Sequence, residues 1–306
     1  MNELSLDTLL YDESKNQVEK GTLYLVATPI GNLSDISFRA VKILSSVDFI
    51  AAEDTRNSAK LLHVIGIKKP LVSYHEHNKR ERGEEITARL QSGESCALVT
   101  DAGMPAISDP GEDLVRLCAA KGITVTCVPG ACAAVSALAL SALDSRHFVF
   151  EGFLPVQNAE RKQRLLALKG DRRTVILYEA PHKLRRTLSD LLDTFGHSRR
   201  LSLCRELTKK NEEILRTCIG DAVALYKDQE PRGEYVLILE GADESGEPLS
   251  ASVEASAPLS FESCAAHVAY YEQKGLAHMD AIKAAAKDRG IGKSEFYRML
   301  CDENEQ

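Results

Sequence analysis

The segment 99–143 constrains the fold of this chain more than any other stretch, because it contains two strand-to-helix turns built from small residues. The first apolar run ends in Asp101-Ala102-Gly103, and the second ends in Pro129-Gly130 before an alanine-rich helical stretch. Small residues let a ligand approach the main chain closely. In an open parallel sheet such turns lie at the carboxyl ends of the strands, where ligands bind. The segment therefore predicts a ligand crevice at one edge of a parallel sheet.

Short apolar runs alternate with amphipathic stretches throughout the first half of the chain. The alternation predicts helices between strands at 22–28, 48–53, 70–74, 95–100 and 123–128. Successive parallel strands need crossover helices, and these cover both faces of the sheet. We therefore predict an α/β domain over 21–145, preceded by a mobile N-terminal tail over 1–20.

A second pattern begins near residue 146. Strands are predicted at HFVFEGFL, TVILYEA, RLSLCREL, EILRTCIG and EYVLILEG, and helices at 158–169, 181–194 and 220–228. The closer spacing after Leu201 predicts a mixed sheet with antiparallel pairs. We assign a second α/β domain to residues 146–241.

Composition changes again after this second domain. The stretch 242–258 is rich in Ser, Ala, Glu and Pro without periodicity, which predicts a linker. Residues 259–306 then show three helical patterns with a short Gly-containing turn, as is typical of a helix-turn-helix module. Such a module binds RNA or serves packing or dimerisation, and the residues leave both alternatives open.

Charge is unevenly distributed along the chain, whose net charge is −7. Residues 161–210 carry a balance of +9, which leaves −16 for the remainder. A basic surface on an acidic protein suits an anionic partner that docks in one orientation. The alternative is that these charges occupy ordinary solvated helix faces.

Several classes of protein are disfavoured by features that the sequence lacks. No apolar run reaches the roughly 18–20 residues of a membrane span, and the N-terminus has no apolar core of a secretory signal. The eight cysteines form no CxxC pair, so we predict no metal site. No GxGxxG fingerprint suggests a nicotinamide cofactor. We expect a cytoplasmic protein with reduced cysteines and no membrane association.

Titratable residues are concentrated after the second and third predicted strands. They are Glu53, Asp54, Arg56, His75, His77 and Asn78. Because parallel strands end at one sheet edge, we expect these residues to face the same crevice. They either carry acid–base chemistry or form an ion-pair network that holds the loops.

An ordered set of motifs extends from Leu23 to Gly241. It comprises LVATPIGNLSDIS (25–37), FIAAEDTR (49–56), SYHEHN (73–78), DAGMPAISDPG (101–111) with PGACAAVSAL, GFLP (152–155), YEAPHKL (178–184), RELTK (205–209) and PRGEYVLILEG (231–241). This set resembles the tetrapyrrole methylase superfamily, and within it the branch of the ribosomal RNA small subunit methyltransferases I. The resemblance implies two α/β domains of the tetrapyrrole methylase type, with an S-adenosylmethionine (SAM) cleft between them. It also implies a homodimer that methylates the ribose 2′-oxygen of a cytidine in the 16S rRNA decoding centre.

The resemblance also implies which residues bind the cofactor. They are Pro29, Gly31, Asp101, Gly103, Met104, Cys132, Ala133, Tyr178, Glu179, Glu206, Leu207, Pro231 and Gly233. Met104 stands where this branch more often has a smaller polar residue. Ala131-Cys132 replaces a more usual Pro-Ser, so residue 132 has no hydroxyl to offer.

A ribose hydroxyl is a poor nucleophile until its proton is removed, so we predict an acid–base or orienting role for Glu53 or Asp54. Phosphates of the RNA are expected to contact Arg39, Arg56, Arg172, Arg173, Arg185 and Arg186. Two other functions stay open: methylation of a small tetrapyrrole, and non-catalytic RNA binding during ribosome assembly. The first is disfavoured because the ATPIGNLSDI loop lacks the GxGPGD-type sequence of tetrapyrrole enzymes.

Overall fold

The computed structural model describes residues 17–242, 263–273, 278–288 and 292–304. The chain divides into two compact units, 1–248 and 249–306. Most of the predicted tail and nearly all of the predicted linker lie outside the described residues, and the domain boundaries stay predictions. Within the described ranges, no helix has the length and apolar character needed to cross a membrane.

Five short parallel strands build the first sheet, and each confirms a predicted strand. They are β1 (Thr22–Val26), β2 (Phe49–Ala52), β3 (Leu71–Ser73), β4 (Cys96–Val99) and β5 (Thr124–Val128), in the order β3-β2-β4-β1-β5. Each strand is followed by a helix: α1 (Phe38–Ser46), α2 (Thr55–Val64), α3 (Lys79–Gln91), α4 (Gly111–Ala120) and α5 (Ala133–Leu140). The predicted strand–helix alternation is therefore confirmed.

The helices cover both faces of this sheet because alternate strand residues point to opposite sides. Val26 packs with α1 and α2, whereas Leu23 packs with α3 and α4. The connections after the adjacent strands β1 and β4 thus leave on opposite faces, which opens a crevice at their carboxyl ends. One bridge crosses this crevice: Thr28 N donates to Gly103 O at 2.9 Å, and Gly103 N donates to Thr28 O at 3.0 Å.

The second sheet is mixed, as the strand spacing predicted. Its strands are β6 (Phe148–Phe153), β7 (Thr174–Glu179), β8 (Arg200–Arg205), β9 (Glu213–Cys218) and β10 (Tyr235–Leu239), in the order β6-β7-β10-β8-β9. Only the β6–β7 pair is parallel among these described strands. One face packs against α6 (Asn158–Leu168), α7 (Pro181–Phe195) and α8 (Ile219–Asp228).

The opposite face of the second sheet is covered by α5, which follows the last strand of the first sheet. Ala137 and Leu138 of this helix pack against Ile176 and Val236. The sequence of α5, AAVSALAL, is apolar except for Ser136, which is exposed, so one face can pack here without a polar side chain being buried. This contact brings the carboxyl edge of the first sheet against the second sheet.

The C-terminal unit confirms the three predicted helices, α9 (Cys264–Gln273), α10 (His278–Asp288) and α11 (Lys293–Asn304). Its core includes Val268, Ile282 and Phe296. The carboxylate of Glu303 in α11 accepts hydrogen bonds from the backbone N–H of Cys264 at 2.7 and 2.9 Å. This bond satisfies a donor at the start of α9 that has no partner within its own helix.

Candidate active site

A cavity of about 570 Å³ lies where the carboxyl edge of the first sheet faces the second sheet. Its volume falls within the roughly 300–1,000 Å³ of small-molecule sites. The predicted site residues that line it are Glu53, Gly103, Met104, Cys132, Ala133, Tyr178, Glu179, Glu206 and Leu207. Residues far apart in the sequence therefore meet at one site.

The other predicted cofactor residues are not among those that line the cavity: Pro29, Gly31, Asp101, Pro231 and Gly233. Their chain neighbours Ile30, Ala102 and Glu234 line the cavity instead. The Asp101 carboxylate accepts hydrogen bonds from Asp54 N at 3.2 Å and from Asn57 Nδ2 at 3.1 Å. The side chain of Asp101 is therefore engaged in holding the first turn of α2.

Gly31 permits a close approach between loops of the two sheets. A Cβ at this position would overlap Lys209 Cγ and lie 2.8 Å from Thr208 Oγ1. Because the φ of Gly31 is not in the left-handed region, the contact and not the backbone conformation requires glycine. The loop after β1 therefore packs directly on the loop after β8.

Four non-glycine residues around the cavity have a left-handed backbone. They are Ala106, Ser108, Glu206 and Thr208, with φ values of 65°, 64°, 52° and 65°. Such conformations are uncommon and are found preferentially at functional sites. Asp109 holds the turn around Ala106, since its Oδ1 accepts hydrogen bonds from Ala106 N at 3.0 Å and Gly111 N at 2.7 Å. Both walls are thus held in conformations that local propensity disfavours.

An ion-pair cluster forms one side of the cavity. Lys209 Nζ lies 2.8 Å from Glu206 Oε1 and 3.0 Å from Glu234 Oε2. The hydrogen bond from Lys209 lowers the pKa of the Glu206 carboxyl below its usual value, so this group is ionised at neutral pH. Glu206 therefore forms a local ion pair with Lys209.

Tyr178 connects the two sheets at the cavity. Its hydroxyl oxygen accepts a hydrogen bond from Ala134 N at 3.2 Å, in the first turn of α5. Cys132, the N-cap residue of α5, supplies no side-chain hydrogen bond to this helix. Burial raises the pKa of Tyr178 to about 12, which keeps the phenol neutral.

The two predicted acid–base candidates have different environments. Glu53 lines the cavity, and its Oε2 accepts a hydrogen bond from Thr100 Oγ1 at 2.7 Å. Within the described part of the chain no ion pair engages Glu53. Asp54 instead binds Arg56 through both oxygens, at 3.1 and 2.7 Å, and these hydrogen bonds lower its pKa to about 2. A carboxylate of such low basicity is a poor proton acceptor, so the geometry favours Glu53.

Many cations of the basic segment 161–210 already have anionic partners. The pairs are Arg161–Asp190, Arg164–Glu151, Arg173–Asp171, Arg200–Glu240, Arg205–Glu213 and Lys209–Glu206. The balance of +9 therefore overstates the charge that a partner would meet.

The four arginines predicted to bind RNA in this segment lie at two different places. Arg185 and Arg186 are in the second turn of α7, whose first residue Pro181 lines the cavity. Arg172 and Arg173 precede β7, at the end opposite Tyr178 and Glu179. A six-residue strand spans roughly 20 Å. The other two predicted arginines, Arg39 and Arg56, begin the helices that follow β1 and β2.

Sequence reasoning missed several residues that line the cavity. They include Phe153, His182, Lys209 and Glu234. Each of these residues lies inside one of the motifs that carry the family resemblance, and its place in that motif is the signal by which the sequence could have identified it. Within the described ranges, no group of three or more His, Cys, Asp or Glu side chains is placed to hold a metal ion.

A family model described as tetrapyrrole (corrin/porphyrin) methylases matches residues 22–223. This chain belongs to the tetrapyrrole methylase family. The methylase is 47% identical to ribosomal RNA small subunit methyltransferase I of Halalkalibacterium halodurans, over 93% of this chain and 96% of that protein. It is 46% identical to the protein of the same name from Bacillus subtilis, over 91% and 94%. The chain therefore also belongs to the ribosomal RNA small subunit methyltransferase I branch.

Solved structures confirm the predicted fold class of this methylase. Uroporphyrin-III-C-methyltransferase from Thermus thermophilus matches with a TM-score of 0.52 and 20% identity, over 72% of this chain and 94% of that one. Diphthine synthase matches with a TM-score of 0.56 and 12% identity, over 74% and 92%. At these identities the similarity concerns the fold alone.

Membership of this family implies SAM as the methyl donor, and the cavity lining suits that molecule. SAM combines a flat adenine with a cationic sulfonium and ammonium. Apolar side chains such as Ile107, Phe153 and Val236 offer surfaces for the ring, and carboxylates including Asp109 and Glu206 offer charge for the cations. The residues present therefore fit the predicted cofactor.

Proposed function

We propose that this methylase transfers a methyl group from SAM to small-subunit ribosomal RNA, at the ribose 2′-oxygen of a cytidine in the decoding centre. The observation that carries the proposal is the 47% identity with a ribosomal RNA small subunit methyltransferase I over 93% of the chain. The choice of cytidine and of the 2′-oxygen rests on the motif resemblance. Such an enzyme acts in the cytoplasm, where its substrate is assembled.

Bound SAM supplies a methyl group that is already activated on its sulfonium. The chain has to hold the cofactor and the ribose in line, and such positioning contributes about 7–11 kcal/mol. We assign cofactor orientation to the walls formed by Gly103, Cys132 and Tyr178, and proton acceptance from the ribose hydroxyl to Glu53. Thr100 holds the Glu53 carboxylate through its hydroxyl.

The proposed function is tested by mapping ribose methylation in 16S rRNA from cells with and without the protein, together with labelled SAM and purified 30S subunits. The expected result is one methylated decoding-centre cytidine that depends on the protein. Label on a base instead of a ribose contradicts the proposal. SAM binding without label transfer to RNA supports a non-catalytic assembly factor, and transfer only to a tetrapyrrole supports the small-molecule alternative.

Replacing Arg185 and Arg186 by Gln is expected to weaken 30S binding and reduce its salt dependence, because both residues are exposed on α7, one turn beyond Pro181, which lines the cavity. The slope of log K against log salt should fall by roughly one to two, since each phosphate contact contributes about 0.9. The matched pair Arg172→Gln and Arg173→Gln, at the far end of β7, is expected to have a smaller effect. Filter binding across a KCl series measures the salt slope of each double variant. Equal slopes for the two variants contradict the prediction that the RNA contacts Arg185 and Arg186 more than Arg172 and Arg173.

The exposed face of α5 supports a homodimer. Val135 is 54% exposed and Leu140 is 38% exposed, on a helix whose other face packs against the second sheet. We expect a two-fold dimer, the commonest closed assembly, which Val135→Asp weakens. Light scattering at micromolar concentration checks this, and a wild-type mass near 33.6 kDa contradicts it.

A further inference from the structure

A buried arginine lies behind the cavity wall, and no motif or resemblance assigns it a role. Arg161 in α6 is nearly inaccessible to solvent. Its Nε donates to Asp190 Oδ2 at 2.6 Å, one terminal nitrogen donates to Thr187 Oγ1 at 2.6 Å, and the other reaches Pro155 O at 3.4 Å. Burying a guanidinium is costly unless its donors are satisfied, and these contacts supply the partners.

Thr187 extends this network to the cavity. The residue is fully buried in α7, and its hydroxyl donates to Glu179 Oε2 while accepting from Arg161. Glu179 Oε1 accepts from Ala180 N at 2.9 Å. Both carboxylate oxygens of Glu179 are therefore held, one by the backbone and one by a hydroxyl that Arg161 orients.

Glu179 is buried, yet it lines the cavity. An ionised carboxylate has about four acceptor sites, and the two hydrogen bonds above use two of them. Two acceptor sites therefore remain on the carboxylate of this cavity-lining residue. A prearranged acceptor binds such donors without the entropic cost of ordering a mobile side chain.

We propose that Arg161 and Thr187 are positioning residues for the cofactor, fixing Glu179 as the acceptor for the hydroxyl and amino donors of the adenosine moiety of SAM. This inference rests on the proposed function, because it requires SAM in this cavity. The donor class follows from the chemistry: a carboxylate without a proton accepts hydrogen bonds and cannot donate them.

The test measures SAM affinity by calorimetry on the full-length chain without RNA. Thr187→Val keeps the shape of the side chain and removes its hydroxyl, so the dissociation constant is expected to rise about 10- to 100-fold, as for a lost hydrogen bond to a charged group. Thr187→Ser keeps the hydroxyl and is expected to stay within about threefold of wild type.

Thr87→Val is the matched control. Thr87 is also fully buried in a helix, accepts from a cation at Lys121 Nζ (2.7 Å) and donates to Gly83 O (2.9 Å), but it does not line the cavity. Its substitution is expected to leave SAM affinity unchanged.

A double-mutant cycle separates positioning from general structural support. In a Glu179→Gln background, Thr187→Val is expected to add no further loss of SAM affinity, because it acts through Glu179. A full loss in that background, or wild-type affinity in Thr187→Val alone, overturns the inference. If Thr187→Val does not fold, Thr187→Ala enters the same cycle.

Failure of this inference is distinguishable from failure of the proposed function. If the wild-type chain binds SAM normally and Thr187→Val leaves the SAM dissociation constant unchanged, only the positioning role is overturned. A chain that shows the expected cycle but does not methylate 16S rRNA overturns only the proposed function.

Discussion

Gly103→Val is expected to weaken SAM binding severely, with the dissociation constant raised by up to about 100-fold. Gly103 lines the cavity, and a Cβ there would lie 3.2 Å from Ile30 Cγ2 and 3.4 Å from Ala131 O. The branched side chain beyond this Cβ enters a tightly packed wall, and overpacking costs roughly 1–3 kcal/mol. Isothermal titration calorimetry with SAM measures the effect.

Backbone strain also contributes, because the φ of Gly103 is +84° and valine disfavours this region. Gly122→Val controls for it: Gly122 has a φ of +69° with nothing within 4 Å of its Cβ position, and it does not line the cavity. The control is expected to lose stability to thermal unfolding but to keep its SAM affinity. Normal SAM binding by folded Gly103→Val contradicts the placement of the cofactor.

Glu53→Gln is expected to lower kcat for rRNA methylation by about 10²- to 10⁴-fold, the usual contribution of a general base. The substitution preserves side-chain size and the hydrogen bond from Thr100 to a carbonyl oxygen, but it removes the proton acceptor. SAM affinity is expected to change little in comparison. Single-turnover kinetics on 30S subunits, with calorimetry alongside, separates catalysis from cofactor binding.

Asp54→Asn is the control for charge at this sheet edge. Asp54 is bound to Arg56 and does not line the cavity, so its loss is expected to reduce kcat much less than Glu53→Gln does. A larger loss for Asp54→Asn than for Glu53→Gln contradicts the assignment of Glu53.

The protonation of Asp54 does not make this comparison depend on pH in an ordinary assay. Arg56 lowers the Asp54 pKa to about 2, so the ion pair is present at neutral pH and is lost only as the pH falls toward that value. No change in the Asp54–Arg56 pair is therefore expected across the pH range of an ordinary assay.

The positions of strands and helices follow closely from local patterns. Strand β4, for example, is an uninterrupted apolar run, CALV, that a parallel strand covered on both faces requires. The small residues at 101–103 and 129–130 likewise locate the ligand crevice, because the ends of parallel strands share one edge. The motif resemblance also predicts residues of the second sheet that line the cavity, such as Tyr178 and Glu206.

Roles of individual side chains follow less directly. Asp101 and Ala102 are adjacent in the motif, but only Ala102 lines the cavity, since the carboxylate of Asp101 is turned toward α2. The basic segment shows the same limit on a larger scale. The summed charge of the segment takes no account of pairs with acids outside it, such as Arg164–Glu151 and Arg205–Glu213, so it cannot locate the exposed cations.

The sequence by itself determined the α/β class, the parallel first sheet, the mixed second sheet and the sheet edge at which the cavity lies. These features depend on apolar periodicity and on turn residues, which act within a few positions of each other. The tertiary structure alone decided that Glu53 enters the cavity while Asp54 binds Arg56, and that Arg161 reaches Glu179 through Thr187. The hydrogen bonds that link Arg161, Thr187 and Glu179 join residues on different helices and strands. No local sequence pattern specifies such partners before the elements pack together.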